Sequence, residues 1–146
     1  MQMIDPQILK ELRKIVGKQH VLTDPEDMVA YSYDGTFAER RPDAVVRPDA
    51  TEQVSEVMKV AWREDIPVVP RGMASGLAAA SIPATGGMVL DTCRMDRIIE
   101  IDEVNFIVTT QAGVVTQHLA DTVAKQGLFY PPDPSSIKQS TLGGNA

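Results

Sequence analysis

A chain of 146 residues with a 43% hydrophobic share has the size of one domain, able to bury about two-thirds of its unfolded surface. Its formal charge of −6 argues against nucleic acid or an anionic membrane as a bulk partner. No apolar run approaches a membrane span, the N-terminus carries no basic and apolar signal segment, and the single Cys93 leaves no internal disulfide, so the expectation is a soluble, cytoplasmic protein without membrane insertion.

Asp5, Pro6 and Gly17 frame a helix whose Ile8, Leu9, Leu12, Ile15 and Val16 share one face and must dock on something. A second short helix is expected from Thr23 or Asp24 to about Tyr31. Tyr31, Tyr33 and Asp34 follow in a loop, the tyrosines packing and Asp34 capping a turn. Ala44-Val45-Val46 reads as a buried strand. Thr51 is the expected cap of a helix carrying Val54, Val57, Met58 and Ala61 at helical spacing. Val68-Val69, closed by Pro70, is the next strand, and Gly87 to Asp91 a third. The first two strands and their helix have the length and order of a right-handed crossover, hence a small parallel sheet.

The stretch from Arg71 to Ser81 leaves the carboxyl end of the second strand, where open α/β sheets place ligands. It holds one arginine, two glycines and four alanines, almost without side-chain bulk. Two readings stand open on composition: a loop whose peptide N–H groups cradle phosphates, or a loop kept small for close packing.

A differently built part follows. Ile98 to Asp102 and Phe106 to Gln111 read as an antiparallel hairpin. Thr116 caps a helix through Leu119, Ala120, Val123 and Ala124, with Gly127 at its exit. Leu128 to Pro134 is irregular, because its prolines remove backbone donors. The chain stops at Leu142-Gly143-Gly144-Asn145-Ala146 with no closing helix or strand expected, and reads as a truncated domain. Three parts are expected: an N-terminal helical segment over 1–42, a parallel subdomain over 43–97, and an incomplete antiparallel subdomain over 98–146.

Familiar catalytic signatures are absent. Gly72 and Gly76 do not form a G-x-G-x-x-G turn, and no lysine completes a phosphate loop of the G-x-x-x-x-G-K-[ST] type. His20, His118 and Cys93 are scattered, so neither a metal site nor a catalytic residue is assigned. His118 is expected to face solvent, and Cys93 to act as a small buried hydrophobe.

Taken in order, Val45-Val46-Arg47-Pro48, Thr51 to Val54, Pro67 to Gly72, Gly86-Gly87, Met95 to Asp102, Gly127 to Ser136 and Thr141 to Asn145 form a pattern that resembles the FAD-binding domain of FAD-linked 2-hydroxyacid dehydrogenases. These are the glycolate oxidase D-subunit and D-lactate dehydrogenase type, within the vanillyl-alcohol-oxidase or PCMH-type flavoprotein superfamily. The resemblance covers roughly residues 8–146 and implies an α+β fold of two subdomains with FAD between them. It assigns Arg71, Gly72, Met73, Ala74, Ser75, Gly76 and Leu77 to the pyrophosphate, with Arg71 either on phosphate or holding the loop through carbonyls. It assigns Pro132, Asp133, Ser135, Thr141, Gly143 and Gly144 to the flavin and its ribityl-diphosphate chain.

The resemblance further implies a parent oxidoreductase acting on a small 2-hydroxy acid, with this chain alone inactive and binding FAD weakly or not at all. Serine at 75, where covalent members place histidine nearby, implies non-covalent FAD. Alanines 74, 79 and 80 stand where family members often carry glycine, which would strain any position needing a left-handed backbone. Two alternatives remain: a non-catalytic module completed by a partner chain or second copy at the sheet edge near Phe106 to Gln111 and at the apolar Leu128 to Tyr130, or a sister flavoenzyme acting on enolpyruvyl sugars or alkyl lipids.

Overall fold

The computed structural model describes residues 4–146; the first three residues of the expected N-terminal segment lie outside them. Helix α1 (Pro6–Val16) starts where Asp5 accepts a 2.7 Å hydrogen bond from the Gln7 N–H, and it stops at Gly17, whose φ is 93°. Such a cap is worth about 1 kcal/mol. Leu12 and Val16 are buried, and Ile8, Leu9 and Ile15 pack against the same core. Strand β1 (Val21–Leu22) is too short to carry a periodic signal in the sequence, yet it pairs antiparallel with β2 (Ala44–Val46). Helix α2 (Pro25–Ala30) lies between them, with Met28 buried.

Helix α3 (Thr51–Arg63) departs from expectation at two points. Ala50 occupies the cap position, and Thr51 is the first helical residue with no capping bond. Val57, Val60 and Ala61 are buried while Met58 is 43% exposed, so the docked stripe passes through residue 60 instead of 58. Strand β3 (Val68–Arg71) runs through Pro70 rather than closing there. Proline is tolerated because β3 is an edge strand, hydrogen-bonded only to β4 (Met88–Asp91).

The sheet order is β1-β2-β4-β3, with β4 parallel to both neighbours. The crossover through α3 therefore skips a position, and β4 lies between the two strands it joins. That order follows from burial: every residue of β4 is buried, as the centre of a covered sheet requires. One core joins α1, β1, β2, α3 and β4.

In the second half, β5 (Ile98–Asp102) and β6 (Ile107–Thr110) form the expected antiparallel pair, with a register irregularity between Ile98 and Glu100. Helix α4 (Thr116–Ala124) packs Leu119 and Val123, with Val114, against Ile98, Ile101 and Val108. Thr116 does not cap it. Its hydroxyl is buried and donates to the Ser140 carbonyl at 3.1 Å. Residues 128–134 are irregular, as expected. The chain does close on a helical turn, α5 (Leu142–Asn145), correcting the expectation of none. Its two glycines disfavour a helix, and the turn is held from outside by Leu142 N–H to the Val114 carbonyl (2.9 Å) and Gly143 N–H to the Ala112 carbonyl (2.8 Å).

Entry into β4 depends on Gly87. Its φ is 88°, its N–H donates to Asp43 Oδ2 at 2.7 Å, and a Cβ there would run into the Pro67 carbonyl. Gly87→Ala is expected to destabilise the fold by about 3 kcal/mol, combining left-handed strain with a backbone clash in the central strand. Urea unfolding followed by circular dichroism measures it.

Candidate functional site

The small-residue loop springs from the end of β3, beside the central strand. The Arg71 carbonyl accepts both the Thr92 N–H at 2.9 Å and the Thr92 hydroxyl at 3.3 Å, fixing where the loop begins. From Gly72 to Ser81 no peptide N–H makes a backbone hydrogen bond among the described residues, so a row of donors is left for something other than secondary structure. Ala74 and Ala79 have φ of 54° and 55°. These are the left-handed positions at which alanine, unlike glycine, is strained by about 1–2 kcal/mol each. Met73 and Leu77 are exposed, and the space around Gly76 is open.

Arg71 itself is buried. Its Nη2 donates to the carbonyls of Ala30 (3.1 Å) and Tyr33 (2.9 Å), its Cζ lies 5.4 Å from the centroid of the Tyr31 ring, and its Nη1 is buried without a partner among the described residues. The guanidinium thus holds the last carbonyl of α2 and one just beyond it. Beneath it, Tyr31 Oη donates to Asp91 Oδ2 at 2.8 Å, Arg47 Nε donates to the same oxygen at 3.1 Å, and the Cys93 N–H donates to Asp91 Oδ1 at 2.8 Å.

Burial, then the Asp91 charge, pushes the Tyr31 phenol far above its ordinary value of 10.0. The same two causes push the Cys93 thiol up to about 12, so it stays protonated and unreactive near neutral pH. Sequence reasoning did not single out this cluster. Its only signal there is polar residues closing apolar strands: Arg47 after Val46, and Asp91 after Leu90.

A strap over residues 33–36 supports the loop from the N-terminal side. Asp34 Oδ1 accepts the Thr36 N–H (2.8 Å) and hydroxyl (2.6 Å), and Oδ2 accepts the Ser81 hydroxyl at 3.3 Å. The Thr36 hydroxyl, more than any other donor, holds the Asp34 carboxyl below the usual range. A Cβ on Gly35 would lie 2.8 Å from Leu77 Cδ2 and 3.1 Å from the Gly76 carbonyl oxygen. The loop therefore rests on the strap.

The second wall is Thr141 to Gly144. A Cβ on Gly72 would run into the Thr141 hydroxyl, one on Gly143 would lie 2.7 Å from the Ala112 Cβ, and one on Gly144 would lie 3.2 Å from the Thr141 hydroxyl. Arg71-Gly72 and Thr141 to Gly144, far apart in sequence, are thus brought together. Pro132, Asp133 and Ser135 are exposed on the irregular segment and make no hydrogen bond to the 71–77 loop among the described residues. Among those residues no group of three His, Cys, Asp or Glu side chains is placed to hold a metal.

This donor set fits a nucleotide diphosphate. It offers unpaired amides, minimal side-chain bulk, and a glycine with no room for a Cβ at the junction of the two walls.

Comparison with known proteins agrees with that fit. The FAD binding domain family profile matches residues 42–146. Over 144 residues the chain is 39% identical to the glycolate oxidase subunit GlcD of Bacillus subtilis, covering 98% of this chain and 31% of that protein. It is 34% identical to a D-lactate dehydrogenase of Anaerostipes hadrus, over 97% of this chain and 30% of that one. The chain therefore spans about a third of the length of these curated relatives. The solved alkyldihydroxyacetonephosphate synthase superposes with a TM-score of 0.88 at 21% identity, over 99% of this chain and 33% of that one, which establishes the fold.

Two measurements test the local physics. Ala74→Gly and Ala79→Gly are each expected to raise stability by about 0.5 kcal/mol, since relief of left-handed strain outweighs the added entropy of the unfolded chain; urea midpoints read this directly. For Tyr31, the folded pKa lies above the unfolded one, so its contribution is complete below pH 10.0 and is lost as pH rises past that value. Thermal unfolding between pH 9 and 11 is expected to fall more steeply for the wild type than for Tyr31→Phe (a window of about one unit either side of the unfolded phenol).

Proposed function

This chain belongs to the FAD binding domain family, and from that premise we propose that it is the FAD-holding part of a flavin-dependent oxidoreductase acting on a small 2-hydroxy acid. The observation that carries the reading is the juxtaposition of the donor-rich 72–81 loop with Thr141 to Gly144 across Gly72. The names of the curated relatives, a glycolate oxidase subunit and a D-lactate dehydrogenase, favour the hydroxyacid class over the lipid and sugar substrates of sister flavoenzymes.

In this reading the amides of Gly72 to Leu77 take the pyrophosphate, and Thr141, Gly143 and Gly144, with Pro132, Asp133 and Ser135, line the flavin side. Arg71 acts indirectly, by holding the carbonyls of Ala30 and Tyr33. Bound FAD supplies the acceptor for a hydride from the α-carbon of the substrate. The chain's own task is to fix the cofactor and keep its phosphates in a ring of amides; no residue here is assigned to the substrate proton. Serine at 75 supports non-covalent attachment. The absence of a long apolar helix among the described residues, together with the lone cysteine, supports a cytoplasmic location.

A second reading has its own observation. Phe106, Ile107 and Phe129 are exposed beside a 330 Å³ cavity lined also by Ile101, Val123 and Leu128. A sheet of two strands leaves β-edges that invite pairing, so a partner chain or second copy completing this surface is the alternative. Size-exclusion chromatography decides it, a clean monomer removing the support.

The main test is FAD titration into the product of the complete open reading frame that carries these residues, followed by flavin fluorescence. Saturable quenching is expected, with acid precipitation releasing all the flavin to the supernatant. Gly72→Val is expected to weaken binding at least about tenfold by forcing the two walls apart. A titration that never saturates overturns the reading, and flavin in the acid pellet overturns non-covalent attachment.

A further inference from the structure

We propose that Asp91 is a positioning residue for the cofactor loop, acting through Tyr31 and Arg71 without touching the cofactor. It rests on the FAD reading only for what the loop is positioned to hold. The Asp91 side chain is 4% exposed and accepts from Tyr31 Oη, Arg47 Nε and the Cys93 N–H. Its register partner across the sheet is Arg71, so the two charges leave adjacent strands at the same level. They make no direct hydrogen bond. Tyr31 joins them, its hydroxyl on Asp91 and its ring facing the Arg71 guanidinium at 5.4 Å.

The consequence follows from what else holds each group. Among the described residues Arg71 Nη1 has no partner and Nη2 bonds only the Ala30 and Tyr33 carbonyls, so the Tyr31 ring is the remaining support of the guanidinium. Among those residues the Tyr31 hydroxyl has one acceptor, Asp91. Releasing it frees the ring, then the guanidinium, then the backbone of residues 30–33. That backbone continues directly into the strap on which Gly76 and Leu77 rest.

A simpler role for Asp91, as one half of an ion pair stabilising the sheet end, accounts for Arg47 alone. It leaves the phenol and the Cys93 N–H unexplained.

Trypsin reads the arrangement directly, because cleaving the Arg71–Gly72 bond requires the Arg71 side chain to leave its buried position. Asp91→Asn and Tyr31→Phe are each expected to speed cleavage at that bond about tenfold, the scale of losing a hydrogen bond to a charged acceptor. Cleavage after the exposed Lys125 in the same digest is expected to stay constant. Tyr31→Phe keeps the ring and its volume, so it carries the test if Asp91→Asn does not fold. The double variant is expected to exceed neither single, as for residues acting in one chain.

No change at Arg71–Gly72 overturns the proposal, as does a rise matched at Lys125, which marks general loosening. The FAD titration supplies the second arm: Tyr31→Phe is expected to weaken FAD binding about tenfold, and unchanged affinity beside faster cleavage overturns the link to the cofactor. A wild type that takes up no FAD overturns the cofactor reading instead, while the digest still decides whether Asp91 holds the loop.

Discussion

Where the two halves of the chain cross, two glycines make the approach possible. Gly72 sits against the Thr141 hydroxyl and Gly113 against the carbonyls of Thr92 and Met95, while Gly143 lies against Ala112 within the second half. Gln111 then ties the crossing, donating to the Asp49 carbonyl at 3.1 Å and accepting from the Arg97 N–H at 3.0 Å, while Arg94 braces that segment within the first half through the Arg47 carbonyl at 2.6 Å and Asp49 at 2.8 Å. A loop starting at Arg71 and a turn starting at Thr141 share one place only because nothing larger than hydrogen stands between them. The site is a by-product of how the halves are sewn together.

That origin explains how an acidic chain can hold an anion. The overall charge of −6 gives no favourable long-range field, so attraction must be local. The one arginine in the loop is spent on two carbonyls and an aromatic ring, which leaves peptide N–H groups as the positive surface. The nearest acids are each tied down by hydrogen bonds. Asp34 is occupied by Thr36 and Ser81, and Asp91 by Tyr31, Arg47 and the Cys93 N–H. The hydrogen bonds that order the loop also hold these two carboxylates in fixed positions.

Much of this was legible before the structure, for physical reasons that also mark where legibility ends. The face of α1, the Ala44–Val46 strand and the hairpin of β5 and β6 follow from periodicity and turn chemistry within a few residues, and all three are found. The small-residue loop and the 141–144 turn were legible as sites of low bulk, but the fold alone brings Gly72 onto Thr141. The order β1-β2-β4-β3 was hidden because a crossover motif does not say which strand comes to lie between its two strands. The α5 turn was hidden because its glycines argue against a helix and its anchors, Val114 and Ala112, lie some thirty residues earlier. The Tyr31–Asp91 and Arg47–Asp91 contacts span separations of 60 and 44 residues, beyond any local pattern.

The alanines at left-handed positions fit the same logic. A non-glycine residue persists at positive φ only where its surroundings over-determine the backbone. Ala74 and Ala79 lie in a segment fixed at its start by Thr92 on the Arg71 carbonyl, at its end by Ser81 on Asp34, and along its length by the Gly35 contact with Gly76 and Leu77. Glycine would relax the strain and loosen the unfolded chain at once, whereas alanine narrows both states. A phosphate cradle made of amides works only if those amides are already aimed when the anion arrives, since ordering them on binding would subtract from the affinity. Strained alanines clamped at both ends supply that preorganisation with no charged side chain, and the clamp runs through Asp34 and Tyr31, which the phosphates do not touch in the reading argued above.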